Sequence, residues 1–129
     1  MIAALLLGRK GSVGFPGKNI YPVLGRPLAS YPMLAGINSE NVDNVSISTD
    51  DDDLMELARK NNVEVITRPP ELCTKEALGE DAFVHGYFEI KKRNPGKDIE
   101  IMVLLFCNAV TVTSELIEDG IRVLRENPE

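Results

Sequence analysis

The sequence has no apolar stretch near the roughly 20 residues that a membrane-spanning helix needs. Its opening apolar run is not preceded by the basic residues of a secretory signal peptide. Cysteine is also scarce, since Cys73 and Cys107 fit neither a disulfide framework nor the CxxC spacing of a metal site, and this suits a reducing compartment. We therefore expect a soluble, cytoplasmic protein that does not bind a membrane.

Acidic residues are missing from the first 39 positions, which hold four basic residues, Arg9, Lys10, Lys18 and Arg26. The rest of the chain holds 10 basic and 20 acidic residues, and the net charge of the whole is −6. An acidic protein repels a polyanion such as DNA, so nucleic-acid binding is not expected. A small basic region can still bind a compact phosphate ligand, and the opening segment is a candidate anion site.

Short apolar or β-branched runs alternate with amphipathic segments along the chain. The runs predict strands at 2–7, 45–48, 63–66 and 101–106. The amphipathic segments predict helices at about 28–39, from the capping residues 49–52 to about 61–62, at about 78–93 and at 114–126. This alternation predicts a single α/β domain over residues 1–129, with a three-layer α/β/α architecture and a mostly parallel sheet.

Glycines follow the first predicted strand at positions 8, 11, 14 and 17. Parallel sheets bind ligands beyond the carboxyl ends of their strands, which points to residues 8–19, 48–53, 67–74 and 106–113. The glycine spacing matches neither the Walker A motif nor the G-x-G-x-x-G dinucleotide motif. Glycine nevertheless lets backbone N–H groups approach a phosphate, and Arg9 and Lys18 would add charge-assisted hydrogen bonds. The alternative is a turn-rich connection with solvated charges.

Residues 8–20 read GRKGSVGFPGKNI, and residues 24–28 read LGRPL. Both blocks resemble the opening of the cytidylyltransferases that make CMP-activated acid sugars, the CMP-N-acylneuraminate synthetase-like family. Further similar blocks follow in the same order at 48–51, 58–60, 63–65 and 68–72, so the resemblance covers nearly the whole chain. It implies a Rossmann-like nucleotidyltransferase fold, of which this chain would be the N-terminal portion.

The resemblance also implies a reaction, in which the anomeric hydroxyl of a 3-deoxy-2-keto acid sugar attacks the α-phosphate of CTP and diphosphate leaves with the help of Mg²⁺. Arg9 and Lys18 would be catalytic residues that hold the triphosphate, and Asn19 and Arg68 would contact the nucleotide. The implied nucleotide-binding set further includes Gly8, Gly11 and Ser12. A homodimer is implied too, and the metal ligands are expected beyond Glu129. Such phosphoryl transfer requires positioning and charge stabilisation rather than a nucleophilic side chain.

The sequence departs from the family pattern at several positions. Val13 stands where the family has a lysine, Phe106 where it has a glutamine that meets the nucleotide, and Val112 where it has an arginine. Asn108 is the candidate for amide recognition in place of that glutamine. Two alternatives therefore stay open: a nucleotide-binding relative without turnover, and a nucleotidyltransferase with a different nucleotide or acceptor.

Five other features have an ordinary interpretation beside a chemical one. Asp50–Asp53 are either Mg²⁺ ligands or carboxylates at a helix N-terminus, where the helix dipole favours them. Cys107 follows a strand and is a candidate nucleophile, but His85 is the only histidine that could activate it. In the ordinary interpretation His85 is an unremarkable helix residue, Cys73 is a small packed residue, and Lys91–Arg93 form the solvated end of a helix.

Overall fold

The apolar run at the start of the chain forms an inner strand of a parallel sheet. The computed structural model describes residues 1–8, 20–72, 79–107 and 112–127. Its strands are β1 (Ile2–Leu7), β2 (Pro22–Val23), β3 (Arg26–Pro27), β4 (Asn44–Thr49), β5 (Glu64–Thr67) and β6 (Ile101–Phe106). Its α-helices are α1 (Ser30–Ile37), α2 (Asp52–Lys60), α3 (Gly79–Arg93) and α4 (Ser114–Glu126), and a 3-10 turn spans Pro70–Leu72.

The main sheet has four parallel strands in the order β5-β4-β1-β6. Every residue of β1 is buried, which explains its unbroken apolar sequence, because helices cover both faces of the sheet. Leu7 pairs with Ser48 of β4 on one side and with Phe106 of β6 on the other. The carboxyl ends of these strands therefore lie side by side at one edge of the sheet.

Two hydrophobic cores lie on the two faces of the sheet. Alternate residues of β1 point to opposite faces, so Ile2, Ala4 and Leu6 pack with residues of α1, α2 and α4. Ala3, Leu5 and Leu7 pack with residues of α3 on the other face. This arrangement confirms the predicted three-layer α/β/α fold. Full burial of one leucine contributes about 1.5–3 kcal/mol, so the apolar run of β1 is a major source of stability.

The predicted helix at 28–39 is shorter in the structure, because a β-hairpin precedes it. β2 and β3 pair in antiparallel fashion, with Val23 opposite Arg26. The two residues between them, Leu24 and Gly25, have φ values of 51° and 83°. Positive φ at both positions is typical of a tight two-residue hairpin turn. α1 begins only at Ser30, after this hairpin.

A carboxylate of α4 ties that helix to the chain that follows α1. Glu118 accepts hydrogen bonds from the Ser39 Oγ at 2.6 Å, the Asn41 backbone N–H at 2.6 Å and the Asn41 Nδ2 at 2.5 Å. These bonds hold the pKa of Glu118 below its ordinary value, and the Ser39 hydroxyl has the largest effect. The contact joins residues that are 79 positions apart in the sequence.

Within the described ranges, β6 is at the edge of the main sheet. The side chains of Leu104 and Phe106 on this strand are exposed, as are those of Leu116, Val123 and Leu124 on α4. Parallel strands are ordinarily covered on both faces, so this edge differs from the rest of the sheet. None of the described helices is long and apolar enough to cross a membrane.

Candidate nucleotide-binding site at the carboxyl edge of the sheet

The stretches that follow the strands meet at the carboxyl edge of the sheet. The Gly8 N–H, after β1, donates to the carbonyl of Ser48 in β4 at 3.2 Å. The Arg68 N–H, after β5, donates to the Thr49 carbonyl at 3.2 Å, and the Cys107 N–H, after β6, donates to the Leu7 carbonyl at 3.3 Å. Backbone hydrogen bonds thus join three of the selected stretches directly, and the fourth bonds to Leu7, the residue before Gly8.

Gly8 lies in a position without room for a side chain. A Cβ atom there would lie 2.6 Å from the Cys107 Sγ and 2.7 Å from the Leu54 Cδ1, which is closer than real Cβ atoms come to other atoms. The N–H of Gly8 is engaged with Ser48. The contribution of Gly8 to the site is therefore its small size, which lets β1 pack closely against α2 and the end of β6.

Arg68 is a predicted nucleotide-binding residue, and its side chain is only 7% exposed. Its Nη2 donates to the Ser48 carbonyl at 3.1 Å, and its Nε lies 3.4 Å from the Ser48 Oγ. Both contacts are directed into the protein. A contact between Arg68 and a nucleotide stays a prediction, whereas its link to the end of β4 is a feature of the fold.

Three of the aspartates after β4, Asp51, Asp52 and Asp53, serve as helix-terminal carboxylates. Asp51 is the N-cap of α2, and its Oδ1 accepts the N–H of Asp53 at 2.9 Å. Asp52 and Asp53 occupy the first turn, where the helix dipole favours negative charge. In the described part of the chain, no three histidine, cysteine or acidic side chains converge on a possible metal site. These residues therefore do not form a Mg²⁺ ligand set by themselves.

Cys107 does not have the properties of a nucleophile. It is 2% exposed, and burial raises the pKa of its thiol to about 12, although the nearby Arg68 acts in the opposite direction. A thiol with such a pKa is protonated at neutral pH, and the thiolate is the reactive form. Cys107 instead packs below Gly8. The hypothesis of a catalytic cysteine is wrong for this residue.

The remaining candidates on α3 have ordinary surroundings. His85 is partly buried, and its Nδ1 has no hydrogen-bond partner among the described residues. Lys91–Arg93 form the last turn of the helix, where cations complement the helix dipole. Arg93 donates from Nη1 to the Val65 carbonyl at 3.1 Å. These positions support the ordinary interpretation of both features.

Most of the predicted site lies outside the described residues. This applies to the two predicted catalytic residues, Arg9 and Lys18. It also applies to four further predicted nucleotide-binding residues, Gly11, Ser12, Asn19 and Asn108. It also applies to Val13 and Cys73. Phe106 is described, and its side chain is 53% exposed at the carboxyl end of β6. Val112, in contrast, packs against the core.

Sequence reasoning missed the part that Ser48 plays at this edge. Ser48 is fully buried, and its carbonyl accepts hydrogen bonds from both Gly8 and Arg68. It belongs to a block that resembles the family, but a serine at the end of a strand does not reveal which groups its backbone contacts. The available signal was the position of Gly8 and Arg68 directly after β1 and β5, the two strands that pair with β4.

Comparison with known proteins identifies the family. The family model "Cytidylyltransferase" matches residues 3–129. An N-acylneuraminate cytidylyltransferase of Oncorhynchus mykiss is 36% identical over 98 residues, which are 76% of this chain and 22% of the relative. A pseudaminic acid cytidylyltransferase of Campylobacter jejuni is 41% identical over 56 residues, which are 43% of this chain and 24% of the relative.

Solved structures show the same fold at lower sequence identity. The structure of CMP:2-keto-3-deoxy-manno-octonic acid synthetase complexed with CTP matches 99% of this chain and 49% of its own, with a TM-score of 0.77 and 20% identity. A cytidylyltransferase from Leptospira borgpetersenii matches 98% of this chain and 49% of its own, with a TM-score of 0.74 and 22% identity. The chain thus spans about half the length of these structures and under a quarter of those curated relatives. By its match to the family model and its nucleotidyltransferase fold, the chain belongs to the cytidylyltransferase family.

Proposed function

We propose that this chain is the nucleotide-binding part of a cytidylyltransferase that activates an acid sugar. In the proposed reaction the anomeric hydroxyl of a 3-deoxy-2-keto acid sugar attacks the α-phosphate of CTP. A new oxygen–phosphorus bond forms, the bond between the α- and β-phosphates breaks, and CMP-sugar and diphosphate are the products. The observation that carries the proposal is the position of Gly8 at the carboxyl edge of the sheet. Gly8 is the first residue of the glycine-rich segment, residues 8–19.

The proposed chemistry relies on positioning and positive charge. Arg9 and Lys18 would neutralise the triphosphate as catalytic residues, while Gly11, Ser12 and Asn19 would hold the nucleotide. In that arrangement the backbone N–H groups of the segment donate to phosphate oxygens, which glycine permits by close approach. Asn108 would contact the nucleotide from the segment after β6. Charge stabilisation of this kind is a large part of catalysis in phosphoryl transfer.

The acceptor class is supported by the names of the relatives. N-acylneuraminate, pseudaminic acid and 2-keto-3-deoxy-manno-octonic acid are the sugars in those names, and all are acid sugars. The identity of the acceptor of this chain is part of the proposal. So are Mg²⁺ as cofactor, a homodimeric state and a cytoplasmic location. Among the described residues, no three histidine, cysteine or acidic side chains form a group that could hold Mg²⁺.

Diphosphate release tests the proposed reaction. The complete protein is offered CTP, MgCl₂ and each of several 3-deoxy-2-keto acid sugars, and released diphosphate is measured after hydrolysis by a pyrophosphatase. We expect sustained release with at least one acid sugar and none with a neutral sugar of the same size. Release that does not depend on the acceptor would contradict the proposal, because it would indicate simple hydrolysis of CTP.

A second candidate is a nucleotide-binding relative without turnover. The observation that favours it is the exposed Phe106 at the carboxyl end of β6, since the family has a glutamine there that meets the nucleotide. A phenyl ring offers no hydrogen bond to a base. The same assay distinguishes the candidates: CTP binding with no diphosphate release from any acceptor supports the silent relative. A variant with Phe106→Gln should then gain release if this position alone explains the loss.

A further inference from the structure

Arg68 places a charged group inside the protein, below the candidate site. Arginine is almost never fully buried unless it is paired, so its 7% exposure calls for a specific partner. Ser48 is one such partner, through its carbonyl at 3.1 Å and its hydroxyl at 3.4 Å. Because Ser48 is itself fully buried, these contacts lie inside the protein.

The Ser48 carbonyl has a second donor. The N–H of Gly8 reaches the same oxygen at 3.2 Å. A carbonyl oxygen has two lone pairs, so it can accept both hydrogen bonds. The guanidinium of Arg68 and the first glycine of the glycine-rich segment are therefore linked through one shared acceptor, although they are 60 positions apart in the sequence.

The position that a side chain of Gly8 would occupy is already filled. A Cβ atom on Gly8 would lie 2.6 Å from the Cys107 Sγ and 2.7 Å from the Leu54 Cδ1, so these side chains already contact the backbone closely. Gly8 is held between the Ser48 carbonyl and the two apolar side chains. A shift of that carbonyl would move the residue from which the glycine-rich segment continues.

We infer that Arg68 is a positioning residue, which holds the Ser48 carbonyl and, through it, Gly8 in the place from which the glycine-rich segment binds phosphate. This inference rests on the proposed function, since the phosphate is that of CTP. Arginine suits the role because its planar fork presents donors from several nitrogens at once, whereas lysine is a compact point charge. A direct contact with phosphate would depend mainly on the positive charge, which lysine retains.

The variants Arg68→Lys and Arg68→Gln separate the two roles. We expect both to bind CTP about tenfold more weakly than the unchanged protein in isothermal titration, with no recovery in the lysine variant. The effect of salt on the affinity should be the same in all three proteins, because no ion pair with the ligand is lost. Recovery of the original affinity by lysine, or a weaker salt effect in the glutamine variant alone, would overturn the inference.

Hydrogen exchange at the Gly8 amide tests the link without any nucleotide. We expect this amide to exchange about tenfold faster in both Arg68 variants, while the amide of Leu5 in β1 keeps its rate. The matched control is Arg93→Lys, which alters an exposed guanidinium that donates to the Val65 carbonyl at 3.1 Å. The Arg93→Lys variant should change neither the affinity for CTP nor the exchange rate of the Gly8 amide. An unchanged exchange rate at Gly8 in the Arg68 variants refutes the inference even if CTP proves not to be the ligand.

The variant Gly8→Ala tests the position of Gly8 directly. It provides a second test of the inference if the Arg68 variants fail to fold. The added methyl group would push Gly8 away from Cys107 and Leu54. We expect CTP affinity to fall at least about tenfold in the folded variant, with an unchanged effect of salt. CTP affinity equal to that of the unchanged protein would mean that the position of Gly8 does not matter, and the inference would be wrong.

Discussion

Gly8 lies in the candidate site at a position where a Cβ atom has no room. We predict that Gly8→Ala lowers the free energy of unfolding by about 1–3 kcal/mol, because the new Cβ would overpack the contact with Cys107 and Leu54. Urea unfolding followed by circular dichroism measures this. The matched control is Gly120→Ala in α4, where a Cβ meets no atom within 4 Å. The free energy of unfolding of that variant should rise by about 0.5–1 kcal/mol, because alanine favours the helical conformation more than glycine does.

Arg9 is one of the two cations that are proposed to neutralise the triphosphate. We predict that Arg9→Ala weakens CTP binding by about 1.5–3 kcal/mol, the loss of a charge-assisted hydrogen bond. Isothermal titration measures the change. Arg26→Ala is the control, because Arg26 is an exposed cation of the same basic segment but lies in the hairpin strand β3. Equal losses of CTP affinity in Arg9→Ala and Arg26→Ala would indicate a general charge effect instead of a specific contact.

Single residues were predictable from the sequence only where the neighbouring positions defined them. Gly8 is recognisable because it ends an apolar run, and Arg68 because it follows a short strand. Their contacts were not predictable, since the Ser48 carbonyl that they share belongs to another strand. The burial of Cys107 was also hidden, because it depends on how closely β1, β6 and α2 approach one another. Local sequence thus indicated the candidates, and long-range packing determined their chemistry.

At the scale of elements, the hairpin of β2 and β3 contains a residue in an unfavourable conformation. Leu24 has a φ of 51° and is 93% exposed, so its side chain gains little from packing. A left-handed conformation costs a non-glycine residue about 1–2 kcal/mol, and asparagine tolerates it better. We predict that Leu24→Asn raises the free energy of unfolding by about 0.5–1 kcal/mol in thermal or urea unfolding. The control Leu116→Asn, in α4, should give no gain because asparagine is a poorer helix former than leucine.

The tie between α4 and the end of α1 depends on an ionised carboxylate. Since hydrogen bonds lower the pKa of Glu118 in the folded protein, its contribution to stability is complete above the pKa of the unfolded chain. That contribution is lost as the pH falls through the lower, folded pKa. We predict that Glu118→Gln destabilises the protein at neutral pH and that the difference from the unchanged protein shrinks at acid pH. Urea unfolding at about pH 7 and about pH 3.5 measures this.

The neighbouring Asp119 supplies the control for that comparison. Its carboxylate forms an exposed ion pair with Arg122 at 3.2 Å, a type of contact that contributes little. Asp119→Asn should therefore unfold nearly as the unchanged protein does at both pH values. The assigned role of the carboxylate would be contradicted if the difference in the free energy of unfolding between Glu118→Gln and the unchanged protein stayed constant or grew toward acid pH.

The main elements were predictable because each carries a clear periodic or apolar pattern. The strands β1 and β6 match their predicted ranges, and α4 matches at both ends, where Thr113 caps its first turn. The hairpin was missed because two-residue strands have no period to detect. Its presence also moved the start of α1 from the predicted residue 28 to Ser30. The Pro32 ring is accommodated there because it lies in the first turn of the helix.

For the molecule as a whole, the sequence predicted the architecture, while the sheet order had to come from the structure. Alternating strands and helices favour a parallel sheet covered on both faces, and the order β5-β4-β1-β6 satisfies that expectation. The order places Gly8, Ser48, Arg68 and Cys107 at one edge. The chain spans about half the length of the solved structures that it matches.

The basic opening of an otherwise acidic chain leads to the most direct test of the account. Isothermal titration of the complete protein with CTP, UTP, ATP and GTP in the presence of MgCl₂ compares the four nucleotides under one condition. We predict clear binding of CTP, with an affinity at least about tenfold higher than the affinity for each of the other three nucleotides. This preference corresponds to about 1.4 kcal/mol of binding free energy. Equal affinity for all four nucleotides, or no binding of CTP, would contradict the assignment of this edge of the sheet as a cytidylyltransferase nucleotide site.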